Sequence, residues 1–284
     1  MCEVRARAIN ERINLDMQLS FFHQMPFTVV FVIVLTFLLI ALEVGYRIGL
    51  KQRDAWKNAN SGGGAVALTS LFALMGLILA FTYASGVNRY EVRKQAVISE
   101  SNALGTAFLR AGFIAEPGGR QIKEKLLAYA YSRLMPLREG GVVFSDEERA
   151  EYLKNTLYAQ GELWPTMEKA LGDKNLGPMD VSMVTAINDV LDQHTIRIAA
   201  LFNKLPEFIL WMLVFIAGST IAVTGFNAGL SGKMSRWRTA ALTLVISSVM
   251  MTIIDFDRPS DGFARVGQRS LVSVVADMEA DLMR

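Results

Sequence analysis

Two stretches of this 284-residue sequence carry side chains whose types and spacing could act on a solute. Gln95, Ser99, Asn102, Thr106 and Arg110 follow one another at steps of three and four, which on a helix makes one stripe. Amide, hydroxyl and guanidinium groups in a row can line a polar passage. They can equally form a solvated face, although such faces are usually dominated by long charged side chains, and this one is not. The adjacent face, Ala96, Ala103, Ala107 and Ala111, is made of small residues that pack closely. Earlier in the chain Leu77 and Phe81 lie one helical turn apart in a long uncharged run. An apolar constriction of this kind can gate a pore by dewetting. Beside them Gly76, Ala80 and Ala84 recur every four residues, a pattern that lets helices approach and that plain helix packing also explains.

Other chemistry has little support. His23, His194 and the single Cys2 cannot supply a usual zinc ligand set. The chain has no glycine-rich phosphate loop and no G-x-S-x-G elbow. Glu147 and Glu148 read as a solvated helix start, His194 as a surface or interface histidine in preference to a proton carrier, and His23 as interfacial. No catalytic residue, metal site or cofactor is expected, and the chain is not expected to be an enzyme. The 29 basic and 27 acidic residues leave a net charge of +2, which gives no footprint for nucleic acid.

The elements that must hold these residues are membrane helices. Apolar residues make up 52% of the chain and concentrate in four runs, 26–42, 64–85, 208–230 and 239–254. A spanning helix needs about 20 mainly apolar residues, so the first three qualify. The fourth reaches that length through Trp237 and Arg238, whose side chains suit an interface; otherwise it is a buried core helix. Between the second and third runs the composition is that of a soluble helical domain. Helices are expected over 88–114, 120–134, from a Ser145 cap to about 172, and from Asp180 to Pro206, with a last one from about Ser270. The expected class is all-α: a polytopic membrane protein with four transmembrane helices and a helical domain inserted between the second and third. The divisions are an N-terminal segment 1–25, a transmembrane hairpin 26–86, an extramembrane helical domain 87–205, a second hairpin 206–256, and a C-terminal turn and helix 257–284.

Four spans put both termini and the helical domain on one side and the short loops 47–63 and 231–238 on the other. Those loops carry Arg47, Lys51, Arg53, Lys57, Lys233, Arg236 and Arg238 against Asp54 alone, and basic short loops tend to stay in the cytoplasm. Arg5, Arg7 and Arg12 of the N-terminal segment, and Arg89, Arg93, Lys94 and Arg258 close to membrane ends, weigh the other way. Asp255 directly follows the fourth apolar run, where an unpaired carboxylate is costly. With Asp257, Arg258, Arg89 and Arg93 it forms a candidate latch at the membrane boundary. Arg110, ending a stripe whose other face is packed, is expected to be paired with a carboxylate, Glu100 for instance, or with a carbonyl.

Val87-Asn88-Arg89-Tyr90, preceded by Leu79-Ala80-Phe81-Thr82-Tyr83, resembles a segment of the bestrophins. The likeness is closer to the bestrophin-like membrane proteins of bacteria and plants. It rests also on Arg93 and Lys94, on Glu100-Ser101-Asn102-Ala103-Leu104-Gly105-Thr106-Ala107 with Arg110, on Asp255-Phe256-Asp257-Arg258-Pro259 with Gly262 and Val266, and on Glu43-x-Gly45. The resemblance implies a homo-oligomer, pentameric as in the bestrophins, in a lipid bilayer, an inner membrane in a bacterium. It implies an anion-permeable channel that passes chloride or other small anions, with Ala73, Leu77 and Phe81 at the positions of the bestrophin neck. Ala73 is smaller than that neck usually has. Of the acids that clasp calcium in animal bestrophins only Asp255, Asp257 and Asp261 remain, interrupted by Arg258, so no calcium site is expected. The resemblance also places the helical domain in the cytoplasm, against the charge count. The competing reading is a non-conducting membrane sensor or scaffold whose helical domain binds a partner.

Overall fold

The first helix runs well beyond its apolar stretch. In the computed structural model, which describes residues 25–57, 63–135, 146–172, 176–258 and 263–284, helix α1 spans Phe27–Lys57. Residues 47–57, read above as loop, are therefore helical. Arg47 pairs with Glu43 one turn back at 2.8 Å, and Lys51, Gln52, Arg53 and Ala55 are good helix formers. The other helices are α2 (Gly63–Ala111), α3 (Gly118–Ser132), α4 (Asp146–Gly161), α5 (Leu163–Leu171), α6 (Pro178–Phe202), α7 (Glu207–Ser231), α8 (Arg236–Asp257) and α9 (Arg269–Leu282). No strand occurs among the described residues. Four helical segments, containing α1, α2, α7 and α8, are long and apolar enough to cross a bilayer, as the all-α reading with four spans requires.

Several boundaries differ from the sequence reading for local reasons. The second span and the helix after it are one uninterrupted helix, α2. It ends at Ala111 rather than Ile114, because the chain tightens there into bonds from Gly112, Phe113 and Ile114 to carbonyls three residues back. The single helix expected up to residue 172 is two, broken at Gly161-Glu162, where glycine lowers helix propensity. Helix α6 starts at Pro178, whose fixed φ suits a first turn, and Asp180 accepts the Gly177 N–H at 2.9 Å. Ser145, Pro259, Asp261 and the segment 1–24 lie outside the described residues.

The chain divides into two units. The membrane unit takes residues 25–89 and 204–264. Val30, Val34, Leu38 and Leu42 recur every four residues on α1 and bury against Leu210, Leu213, Ala217 and Ile221 of α7 and Ile246, Met250 and Ile254 of α8. Two G-x-x-x-G pairs bring α1 and α7 into backbone contact. A Cβ on Gly45 would lie 2.0 Å from the Ala222 carbonyl oxygen, and one on Gly225 would lie 2.2 Å from that of Leu42. Gly49 and Gly229 repeat the arrangement one turn along.

The helical unit takes Tyr90–Asn203 and Arg265–Arg284. Its core gathers Leu104, Ala107, Phe108 and Ala111 from α2, Ile122, Leu126 and Tyr129 from α3, and Leu163, Met167 and Leu171 from α5. Met183, Ile187 and Val190 of α6 and Leu271, Val275 and Met278 of α9 complete it. Helix α9 is tied down by polar bonds too: Lys123 to Asp281 at 2.6 Å, Tyr131 to Glu279, and Gln268 to both backbone groups of Met135.

Candidate functional site

Within the membrane unit, α2 buries Met75, Leu79 and Thr82 and leaves the opposite face open. Ala73, Leu77, Phe81, Ala80 and Ala84 are exposed, Phe81 at 69%. A Cβ placed on Gly76 would meet nothing within 4 Å. The window of α2 that fits a bilayer is 11% buried, against 22% for α1 and 44% for α8. The outward faces of the other spans carry large apolar side chains such as Val32, Phe37, Ile40, Phe208, Phe215, Trp237 and Val245. The open face of α2 mixes large side chains, Leu74, Leu77 and Phe81 among them, with Gly76, Ala73, Ala80 and Ala84. Inside the bundle, Thr243 and Ser247 of α8 are fully buried, and Thr243 donates to the Thr239 carbonyl.

In the helical unit the alanine face of α2 packs inward, with Ala96, Ala107 and Ala111 buried. The polar stripe faces out. Gln95, Asn102 and Thr106 are exposed, Ser99 and Arg110 half-buried, and the Gln95 amide lies 3.5 Å from the Ser99 hydroxyl. Arg110 donates to the Ser182 carbonyl at 3.0 Å.

The boundary residues of the membrane unit are engaged with backbone. Asp255 accepts the N–H groups of Phe263 and Ala264 at 2.9 and 2.7 Å, which folds the chain back over the end of α8. Asp257 accepts the Leu205 N–H at 2.8 Å, just before α7. Arg258 donates to the Met25 carbonyl at 2.9 Å, just before α1. Arg89 donates to the Ser85 hydroxyl at 2.9 Å. Arg93 belongs to the helical unit, where its guanidinium meets the Ala200 and Asn203 carbonyls at the C-terminal end of α6, a position that favours a cation.

Sequence reading missed the densest polar cluster. Glu100 of α2 is fully buried and binds two arginines: Arg133 after α3, at 2.7 Å, and Arg197 of α6, at 2.5 Å. Tyr129 donates to the same carboxylate at 2.6 Å. The Tyr129 oxygen lies 3.0 Å from Nδ1 of His194, so with its proton on Glu100 it accepts that nitrogen's N–H. The Arg133 carbonyl accepts from Arg197 and from Tyr152 of α4. Burial pulls the Glu100 carboxyl upward, but the two guanidiniums and the Tyr129 bond overcome it and hold it below the ordinary range. Burial and then the Glu100 charge push Tyr129 far up, which fixes it as a donor. His194 is buried rather than at a surface, and burial, with Arg133 next, pushes it down to about 4. A signal existed in the sequence. Val97, Glu100, Leu104 and Ala107 share one helical phase, as do Met183, Ile187, His194 and Arg197, and Ile122, Leu126, Tyr129 and Arg133. Ionisable groups in the core phase of three helices must find one another.

The bestrophin-like domain family matches residues 30–271. Among solved structures, a single-substitution variant of a bacterial bestrophin homologue from Klebsiella pneumoniae is similar at 13% identity and a TM-score of 0.61, over 88% of this chain and 99% of that one. Another crystal structure of the Klebsiella homologue gives 14% and 0.58 over 87% and 96%. A variant described only as a membrane protein gives 14% and 0.59 over 88% and 97%. At such identities the likeness is one of fold. Curated protein sequences give no match. With the family match running from the first span into α9, this integral membrane protein belongs to the bestrophin-like family.

Proposed function

We propose that the chain assembles as a homo-oligomer, a pentamer by its likeness to the bestrophins, and forms an anion-permeable channel in a bacterial inner membrane, with α2 as the wall of the path. The observation that carries this reading is the open face of α2. Gly76, Ala80 and Ala84 are exposed, a Cβ on Gly76 would meet nothing within 4 Å, and small side chains cover little lipid. They suit the approach of α2 from a second copy. Leu77 and Phe81 then supply an apolar constriction, and Ala73 a wider step before it. Gln95, Asn102, Thr106 and Arg110 offer N–H and O–H donors to a partly dehydrated anion such as chloride. The boundary bonds of Asp255, Asp257 and Arg258 act as a latch that fixes the ends of α8, α7 and α1. Helical spans suit an inner membrane, whereas the bacterial outer membrane is crossed by barrels.

The test is flux from liposomes holding the purified protein under a chloride gradient. Conduction with a reversal potential that follows chloride supports the reading. A reversal that follows the cation overturns the anion assignment. No flux from a protein that is assembled and folded favours a scaffold.

A further inference from the structure

The imidazole of His194 is the neutral member of a cluster that already holds two guanidiniums on one carboxylate. It is 5% exposed. From α2 it faces Glu100; from α3 and its end, Tyr129 and Arg133; from its own helix, Arg197; and Tyr152 of α4 reaches the group through Arg133. Since the Tyr129 hydroxyl donates its hydrogen bond to Glu100, Nδ1 of His194 carries the hydrogen that the Tyr129 oxygen accepts. A further proton goes to Nε2 and makes three cations around one carboxylate in a largely buried cluster.

We infer that His194 is an acid sensor of the helical unit: a proton on its Nε2 opens the cluster and frees α3 and α6 from the Glu100 segment of α2. The inference goes beyond the channel reading and does not depend on conduction. Burial, then Arg133, disfavour the charged ring, and Glu100 only partly offsets them, which places His194 at about 4. An open, hydrated histidine titrates at about 6.5. Between these values the open form takes a proton that the closed form refuses. The opening constant therefore rises as the pH falls from about 6.5 to about 4, by close to tenfold per pH unit in the middle of that range. Glu100, held below its ordinary range, stays ionised through most of that window, so the slope belongs to the histidine.

The experiment is hydrogen exchange by mass spectrometry on the full-length protein in nanodiscs, expressed as protection factors. Peptides from 118–132 and 183–200 are expected to lose about fortyfold in protection between about pH 6.5 and 4.5. In His194→Gln, whose amide still donates to Tyr129 but takes no proton, the dependence disappears. A flat profile in the wild type, or an unchanged slope in His194→Gln, overturns the inference. Should that variant not assemble, His23→Gln leaves His194 as the one histidine of the chain. Carbon-13 labelling of its ring then reads the titration directly. A midpoint far below the free value supports the sensor, and one near about 6.5 overturns it.

Discussion

Glu100 shows what a single buried carboxylate does here. It is the shared anion of two arginines and a tyrosine, none with access to water. Glu100→Gln leaves two buried guanidiniums facing an amide, and breaking one side of a buried ion pair costs about 3–5 kcal/mol. Tyr129→Phe removes a bond to a charged group, worth about 1.5–3 kcal/mol, and keeps the ion pairs. Thermal melts of the assembled protein should rank the wild type above Tyr129→Phe and Tyr129→Phe above Glu100→Gln; equal melting would show that the cluster adds no stability. Because its carboxyl is held below the ordinary range, Glu100 stabilises the fold above about pH 4.5, and that contribution is lost as the pH falls through its folded value. The boundary carboxylates act through backbone. Asp257→Asn weakens the hold on the Leu205 N–H by about 1 kcal/mol and should raise protease cleavage near residue 260, read by fragment mass. Cleavage at the wild-type rate would remove Asp257 from the latch.

Among the elements, α1 and α7 are matched backbone to backbone. Gly225→Ala forces a Cβ against the Leu42 carbonyl, with the Tyr46 nitrogen at 3.0 Å, and neither can swing away as a side-chain end would. Overpacking of this kind costs about 1–3 kcal/mol, so the variant should melt lower, while Gly76→Ala, which meets nothing in its own chain, should not. If the open face of α2 is an interface, Gly76→Leu should reduce oligomer size in light scattering without loss of helix; an unchanged size would place that face against lipid. This contrast also shows how far sequence reading reached. Small residues at a spacing of four announce close approach but not the partner. The pattern at 76, 80 and 84 is exposed among the described residues, whereas 45/49 and 225/229, with the same spacing, hold the bundle. The four spans were readable because a bilayer demands about 20 apolar residues in a row, a local property. The stripe of Gln95 to Arg110 was readable by spacing, but which side of α2 stays open depends on α3, α6 and α9, which arrive from elsewhere in the chain. Glu100, Arg133 and Arg197 are not legible as a cluster for the same reason: each sits in or at the end of an ordinary helix, and only their meeting makes them unusual.

For the whole molecule, the reading that α2 walls a conducting path makes a directional claim. Phe81→Ala widens an apolar constriction and should raise chloride flux several-fold at equal protein and oligomer size, whereas loss of a mere packing contact lowers stability and raises nothing. Flux at or below wild type in a normally assembled variant would remove Phe81 from the constriction. The order in which the chain is made adds a further consequence. Helix α9 supplies Leu271, Val275 and Met278 to the core of the helical unit, yet it is translated only after the fourth span. Until then α2, α3, α5 and α6 wait on the ribosome with an apolar groove unfilled. A message cut short before Arg269 would yield a polypeptide whose spans can all insert but whose helical unit cannot close. Exposed apolar surface of this kind invites aggregation, so the stability of the helical unit rests on the element that joins it last.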